Sequence, residues 1–317
     1  MHCLKDVENL QTVITIGNFD GVHIGHRALL RKVIERAKSN NVKSAVITFN
    51  MHPYHLLYPH MKPYLLTSPE KKEELLLRMG IDYVCSLDFT PELAEMSAQA
   101  FLKDIIIERL RAIEIVLGYD ARFGKDREGN YNFLLEQEKF YNYKAIYVES
   151  LVMNDRVVSS SLIRQLIRAG EMEQASQLLE SYYSFKGTVV HGKQIGHKTS
   201  FPTLNIVPET EHQLIPATGI YVTGIHIAGS YFWGVTNIGY SPTLKTEQKL
   251  EIEMFVFDFN SEIYGQSVEI YFYRRLRDEE KYSSADELVS QIKRDVELAK
   301  ELIPQFSNSK YFGSKNG

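Results

Sequence analysis

Two histidines three residues apart, set among glycines, are the first groups in the chain with the types and spacing to handle a phosphate. The string is Gly17-Asn18-Phe19-Asp20-Gly21-Val22-His23-Ile24-Gly25-His26. Glycines let the backbone approach an anion closely, and a helix that starts here would aim unpaired amides at it. Imidazoles that converge on the first helical turn can donate to phosphate oxygens and stabilise charge at the phosphorus under attack. A metal-binding pair, or two surface histidines in an ordinary turn, would use the same residue types. The string fits neither a dinucleotide-binding fingerprint nor a Walker ending. Further along, Ser159, Ser160 and Ser161 precede Arg164. This run reads as a helix cap, as hydroxyls beside a phosphate-matching guanidinium, or as both. Thr203 and Asn205 alternate across an extended segment, so a hydroxyl and an amide could share a hydrated magnesium ion. Glu251 and Glu253 share a strand face by the same alternation. Asp120 and Arg122 follow an apolar run; as isolated residues they read as solvated loop groups.

The elements that must position these groups fall into two regimes. In the first half, strand and helix patterns alternate. Val13 to Ile16 meets the glycine turn; Ala28, Leu29, Val33, Ile34 and Ala37 then recur at helical spacing, and a second strand covers Ala45 to Phe49. Helices at Lys71 to Met79, Ala98 to Arg109 and Leu162 to Ala169, with strands at Tyr83 to Leu87, Ile113 to Leu117 and Ala145 to Val148, continue the series. The pattern predicts an α/β domain with a parallel sheet, its polar turns at the carboxyl ends of the strands. His52, after the second strand, falls near the same crevice. Lys125, Arg127 and Glu128 read as a mobile solvated flap.

After about Tyr182 the period changes. Gly187 to Val190, Gly219 to Ile227, Tyr231 to Ile238, Ile252 to Phe259 and Val268 to Phe272 are rich in β-branched and aromatic residues. Their spacing predicts a closed or nearly closed antiparallel sheet. Ser284 and Glu287 have capping-box spacing ahead of Leu288, Ile292, Val296 and Ala299, so a terminal helix follows. The boundary is expected near 181 to 186, giving domains of residues 1–183 and 184–317, with a frayed tail from Ser309.

The chain has 317 residues, 36 basic and 40 acidic side chains, a net charge of −4 and two cysteines. The length suits two cores. The charge argues against a dedicated nucleic-acid or polybasic membrane-binding protein but allows a local cationic cleft. Cys3 and Cys85 make neither a disulfide framework nor a thiolate metal site, which points to a reducing compartment. With no signal-like amino terminus and no membrane-length apolar run, the expected location is the cytoplasm. The oligomeric state is not legible.

The histidine string resembles the His-x-Gly-His signature of the nucleotidyltransferase superfamily, and more narrowly the amino-terminal module of the bacterial bifunctional riboflavin kinase/FMN adenylyltransferase (FAD synthetase) family. The resemblance continues through Thr48-Phe49-Asn50-Met51-His52-Pro53, Leu117 to Gly124 and Val158 to Arg164. Family members usually have an acidic residue and a proline before the His-Pro. It extends through Gly187 to Asn205, Gly219-Ile220-Tyr221, Asn237-Ile238-Gly239, Pro242-Thr243, Ile252-Glu253 to Asp258-Phe259, Ile263-Tyr264-Gly265 and Leu276-Arg277-Asp278-Glu279. It thus covers nearly the whole chain. It implies a Rossmann-like nucleotidyltransferase domain followed by a riboflavin-kinase-like β-barrel with a terminal helix.

The implied chemistry is phosphorylation of riboflavin to FMN and adenylyl transfer from ATP to FMN, giving FAD and pyrophosphate with Mg2+. On this likeness His23 and His26 hold ATP phosphates, and Gly17, Phe19 and Gly25 of the same turn bind ATP with them. Ser160, Ser161 and Arg164 close over the triphosphate, and His52, Asp120 and Arg122 line the adenylation cleft. In the second module Gly192 and Gly196 belong to the ATP loop, Thr203 and Asn205 to the metal, Glu253 is the kinase base, and Arg277 is a flavin-side or phosphate-side contact. The kinase loop departs from the family pattern. Ile195 and His197 stand where arginines are usual, Ser200 replaces a glycine, and Phe255 replaces a histidine. Neutral histidine does not supply arginine's fixed charge and fork. A chain that is an adenylyltransferase alone, with a degenerate barrel serving flavin sensing or interaction, therefore stays open beside the bifunctional reading.

Overall fold

The computed structural model describes residues 10–50, 65–192, 201–242, 248–309 and 311, with no side-chain description at 241, 242, 248 and 249. The chain forms two compact units, Met1–Ser160 and Ser161–Gly317.

In the first unit, strands β1 (Thr12–Ile16), β2 (Lys43–Phe49), β3 (Tyr83–Leu87), β4 (Ala112–Gly118) and β5 (Lys144–Val148) form a parallel sheet in the order β3-β2-β1-β4-β5. Every residue of β1 is buried, as a strand covered on both faces must be. Its alternating side chains feed two cores. Ile14 and Ile16 join Ile47, Ile115 and Leu117 with Phe101, Leu102, Ile105 and Ile106. Val13 joins Val46, Val84 and Val116 with Leu29, Leu30, Val33 and Leu76. Thr12 is accommodated by donating its hydroxyl to the Leu110 carbonyl at 2.6 Å.

Helix α1 (Ile24–Ser39) follows β1, and its Arg36 forks onto buried Glu114 of β4, Nε to Oε2 at 2.7 Å. Helix α2 (Pro69–Arg78) starts two residues before the sequence pattern shows, because Ser68 caps it and Pro69 supplies the preset first turn. After a short α3 (Pro91–Ala94), the predicted 98–109 helix divides into α4 (Ala98–Ala100) and a π-helix, Phe101–Arg109, ending with Leu110 N–H on the Ile105 carbonyl. The buried positions 101/105 and 102/106 repeat every four residues, which does not separate an α from a π ladder.

Residues 125–128 are exposed, as the reading of a solvated segment expects, and they also make local contacts. Lys125 N–H bonds to the Met96 carbonyl, its Nζ pairs with Glu95 at 2.6 Å, and Phe123 bridges to Gly129. Helix α5 (Tyr131–Gln137) and the hairpin β6 (Val152–Met153) and β7 (Arg156–Val157) are too short to leave a period in the sequence. Cys85 is buried among the core residues and is disulfide-bonded, contrary to the expectation of two thiols; Cys3 lies outside the described residues.

Helix α6 (Ser160–Ala169) begins at the end of the first unit and continues in the second, where α7 (Met172–Leu179) follows. Strands β8 (Tyr183–Val190), β9 (Thr203–Pro208), β10 (Gly219–Ile227), β11 (Ser230–Pro242), β12 (Gln248–Val256) and β13 (Ser267–Arg277) close a barrel in the order β10-β11-β12-β9-β8-β13. All six pairings are antiparallel, with β10 and β13 completing the circuit. Ile238, Ile252, Met254 and Ile206 turn inward and are nearly inaccessible. Val235, Phe255, Phe257 and Tyr273 turn outward, under Ala299 and Phe306 of α8 (Ala285–Ser307). β12 ends before the predicted Phe259, with Asp258 in the left-handed region at φ 55°.

The capping signal at Ser284 holds in part. Its Oγ accepts from Glu287 N–H, but the Glu287 carboxylate accepts from Ser283 N–H and Oγ, one residue earlier than a standard box. Deeper along α8, Asp295 takes a two-pronged contact from Arg277 of β13, Nε to Oδ1 at 2.9 Å and Nη2 to Oδ2 at 2.7 Å. Gln291 donates to the same carboxylate. Asp295→Ala should therefore destabilise the protein by about 2 kcal/mol, since it leaves a half-enclosed guanidinium without its carboxylate. Thermal or urea denaturation checks this, and a midpoint equal to that of the native protein would remove the pair from the helix-docking role.

Candidate functional site

Strand order reverses between β1 and β4, and in open parallel sheets the crevice for ligands lies at the carboxyl ends beside such a reversal. The histidine turn occupies that place. His23 is the N-cap of α1, 4% exposed, and its Nδ1 accepts from His26 N–H at 3.3 Å. An accepting Nδ1 assigns the ring proton of neutral His23 to Nε2, which leaves that nitrogen as a donor. The two imidazoles stack with centroids 3.6 Å apart and 17° between planes, and Phe19 meets His26 edge-on at 5.1 Å. Gly25 permits this arrangement: a Cβ there would sit 3.2 Å from Cε1 and Nδ1 of His23. Gly17 bonds through its N–H to the Ile47 carbonyl, joining the turn to β2.

The turn itself is strained. Phe19, Gly21 and Val22 have φ of 50°, 85° and 39°. For a β-branched residue that conformation costs about 1–3 kcal/mol and persists only where the surroundings over-determine it. Here they do. The buried Asp20 carboxylate accepts from Leu66 N–H and Thr67 N–H at 3.0 Å and from Thr67 Oγ1 at 3.2 Å. Gly21 N–H donates back to Thr67 Oγ1 at 3.1 Å, and Thr48 Oγ1 donates to the Asn18 carbonyl. Ser160 donates its hydroxyl to the Asp20 carbonyl at 2.8 Å.

The serine run thus meets the histidine turn through Ser160, while Ser161 and Arg164 lie three apart on α6 in the second unit. Asp120 and Arg122 are exposed just beyond β4, at the carboxyl edge of the sheet, with Arg122 Nη1 on the Ala121 carbonyl. His52 lies outside the described residues.

In the barrel, register places Asn205 opposite Glu253 and Glu253 opposite Asn237, so one row of adjacent strands presents a carboxylate between two amides. Thr203 pairs with Phe255 on the same face, as the alternation predicts. The face is the outward one, half-exposed, with Phe201 and Phe255 rings edge to face at 5.0 Å. Gly192 is required here: a Cβ would lie 2.0 Å from Nδ2 of Asn205. Asn237 Oδ1 is buried with no hydrogen-bond partner among the described residues. Glu251 falls opposite Gly239, on which the Glu279 carboxylate packs. Arg277 pairs with Asp295 of α8 and with Glu280 just before it. Gly196, together with the departures at Ile195, His197 and Ser200, lies outside the described residues.

A family model for FAD synthetase matches residues 5–162, and one for riboflavin kinase matches 179–303. The bifunctional riboflavin kinase/FMN adenylyltransferase of Buchnera aphidicola subsp. Schizaphis graminum is 34% identical over 305 residues, covering 95% of this chain and 96% of that protein. The chain belongs to the bifunctional riboflavin kinase/FMN adenylyltransferase family. The Listeria monocytogenes protein of that name is 35% identical over 288 residues, 90% of this chain and 91% of its own. A crystal structure described as a macrolide-efflux protein from Streptococcus pneumoniae superposes with a TM-score of 0.85 at 31% identity, covering 95% and 97% of the two chains. Among the described residues no helix is long and apolar enough to cross a membrane.

Within this family architecture, several residues that shape the sites carry no chemical signature in the sequence. Asp20 and Thr67 sit 47 apart and look like turn residues, yet they hold the nucleotidyltransferase turn. Asn237 lies within a quoted motif, but its place beside Glu253 depends on strand register. Asp20→Asn keeps the size of the side chain but sets an amide donor against two backbone N–H groups. It is expected to cost about 2 kcal/mol of stability, a hydrogen bond to a charged group being worth about that. Chemical denaturation measures it; an unshifted transition would show that the carboxylate does not secure the turn.

Proposed function

We propose that the chain makes FAD in two steps, phosphorylating riboflavin to FMN with ATP in the barrel and then transferring the adenylyl group of a second ATP to FMN. The adenylyltransferase domain is residues 1–183 and the kinase domain 184–317. The observation that carries the reading is the stacked histidine pair at the start of α1, set at the reversal of strand order, in a chain similar over its whole length to bifunctional relatives.

In adenylyl transfer an FMN phosphate oxygen bonds to the α-phosphorus of ATP as the bond to pyrophosphate breaks. A phosphate monoester is already nucleophilic, so alignment and charge stabilisation carry the rate. His23, through Nε2–H, and His26 donate to phosphate oxygens, and the first-turn amides of α1 face the same anion. Gly17, Phe19 and Gly25 shape the turn that holds the histidines. Ser160, Ser161 and Arg164 bind the triphosphate, and His52, Asp120 and Arg122 line the flavin side.

In the kinase step the ribityl 5′-hydroxyl attacks the γ-phosphorus and ADP leaves. Glu253 accepts the hydroxyl proton, held between Asn205 and Asn237. Gly192 and Gly196 approach the nucleotide, and Arg277 acts through its hold on α8. Thr203 and Asn205 offer oxygen donors on one face, the hard ligand set Mg2+ takes, and the unpartnered Asn237 Oδ1 adds an acceptor alongside. The ion neutralises phosphate charge when bound. Among the described residues no three His, Cys, Asp or Glu side chains gather as a metal cage.

Two full-length variants test the assignment with FMN and FAD quantified separately. His26→Ala should lower the turnover of FMN adenylylation by about a hundredfold, the size of losing one preorganised donor, and spare riboflavin phosphorylation. Undiminished turnover at saturating ATP places the chemistry elsewhere. Glu253→Gln should abolish FMN formation and leave FAD formation from FMN intact, with Glu251→Gln as the strand-face control. Native protein that makes FAD from FMN but never FMN from riboflavin assigns the barrel a non-catalytic role.

A further inference from the structure

Lys72 is 7% exposed, in a chain position where nothing in the motif pattern marks it. Ser68 and Pro69 fix the start of α2, and Lys72 N–H closes its first turn on the Ser68 carbonyl. This sends the side chain to the carboxyl end of β2, where Nζ donates to the Phe49 carbonyl at 2.7 Å. Lys72 lines one small cavity with Asn18, Asp20, Asn50 and Thr67, of which Asn18, Asp20 and Thr67 take part in the bonds that lock the histidine turn. Lysine is almost never this buried without a compensating charge. The compensating charge is Asp20, which acts on it electrostatically.

We propose that Lys72 is a positioning residue for adenylyl transfer: its ammonium balances the buried Asp20 carboxylate and, through it, keeps the strained turn in the form that presents His23 and His26. The inference rests on the adenylyl-transfer reading above. The linkage is short. A neutral Lys72 no longer offsets the burial of the Asp20 carboxylate, so the arrangement of the turn around that carboxylate becomes more costly to hold. The strained backbone at Phe19 and Val22, secured by that carboxylate's bonds to residues 66 and 67, is then held less firmly.

The ammonium is poised to titrate. Burial lowers the Lys72 pKa from 10.5 to about 8, against the attraction of Asp20 and Glu70. The charged groups facing it are Asp20 from the turn after β1 and Glu70 from its own helix, with Asp88 reached through the Asn50 amide at the end of β2. Transfer should therefore fall as pH rises through about 8. Stability moves the other way: between about 8 and 10.5 the unfolded chain binds the proton that folded Lys72 has lost, so folding becomes more favourable with pH. A merely structural lysine would not set activity and stability in opposition. The phosphate monoester has its second ionisation near about 6, so substrate charge is constant over this interval.

The test measures kcat and KM for FMN adenylylation by full-length protein from about pH 6.5 to 9.5, a range bracketing the lysine's transition. Expected are a native kcat that falls above about pH 8, and a Lys72→Arg variant that stays active without that alkaline limb, because arginine keeps its charge. Lys72→Met should lose about tenfold in kcat at every pH, a barrier change of about 1.4 kcal/mol, with both KM values little altered. A native profile flat through pH 8, or Lys72→Met at the native rate, overturns the proposal. If Lys72→Met does not fold, the native and Lys72→Arg profiles decide between the same outcomes. No FAD at any pH from native protein overturns the transferase reading itself; FAD formed with a flat profile overturns this inference alone.

Discussion

The first unit depends on one buried carboxylate. Asp20 receives the amides of residues 66 and 67, and by doing so it closes a turn that the backbone on its own would not adopt. Local sequence opposes this shape, since Phe19 and Val22 both carry side chains that disfavour positive φ. Charge-assisted hydrogen bonds in a dry setting outweigh that opposition. Everything chemical about the turn follows: His23 becomes a cap, His26 comes to rest against it, and the amides at the start of α1 are left facing outward.

The second unit solves a different problem. A closed barrel has no edges and a packed interior, so a site on it must be built on its outer wall or at its rims. Here the inward face is filled with aliphatic and aromatic side chains, Ile238, Met254, Phe185 and Phe272 among them, and the outward face is divided. Part is covered by α8 through aromatic contacts, and part carries the row of Asn205, Glu253 and Asn237. Arg277 belongs to the covered part. Its bidentate grip on Asp295 fixes the helix.

How much of this could be read from the chain depends on how local the signal was. The parallel sheet was legible because strands buried on both faces read as unbroken apolar runs, and the barrel strands were legible from β-branched and aromatic alternation. His23, His26, Thr203 and Asn205 declared themselves by type and spacing. Asp20, Thr67 and Lys72 did not, because their roles come from contacts across 46 residues or more, or from a lysine whose burial no pattern records. The π-helical ladder at 101–109 was hidden for a related reason: its buried positions repeat every four residues, a spacing shared with an ordinary helix. Lys125 is exposed as its composition suggests, while its contacts with Glu95 and the Met96 carbonyl depend on residues some thirty positions earlier.

The hydroxyl of Ser160 reaches back across 140 residues to the carbonyl of Asp20. A ribosome delivers the chain from its amino end, so the turn with the two histidines emerges among the first parts of the molecule and its last fastening arrives after β5 has been made. β1 likewise waits for β4, about a hundred residues later, before its second edge is covered. Long-range pairings of this kind form slowly and leave strand edges exposed in the interval. The nascent first unit therefore spends a substantial part of translation with an open sheet edge and an unfastened turn, until residue 160 emerges and supplies this last bond.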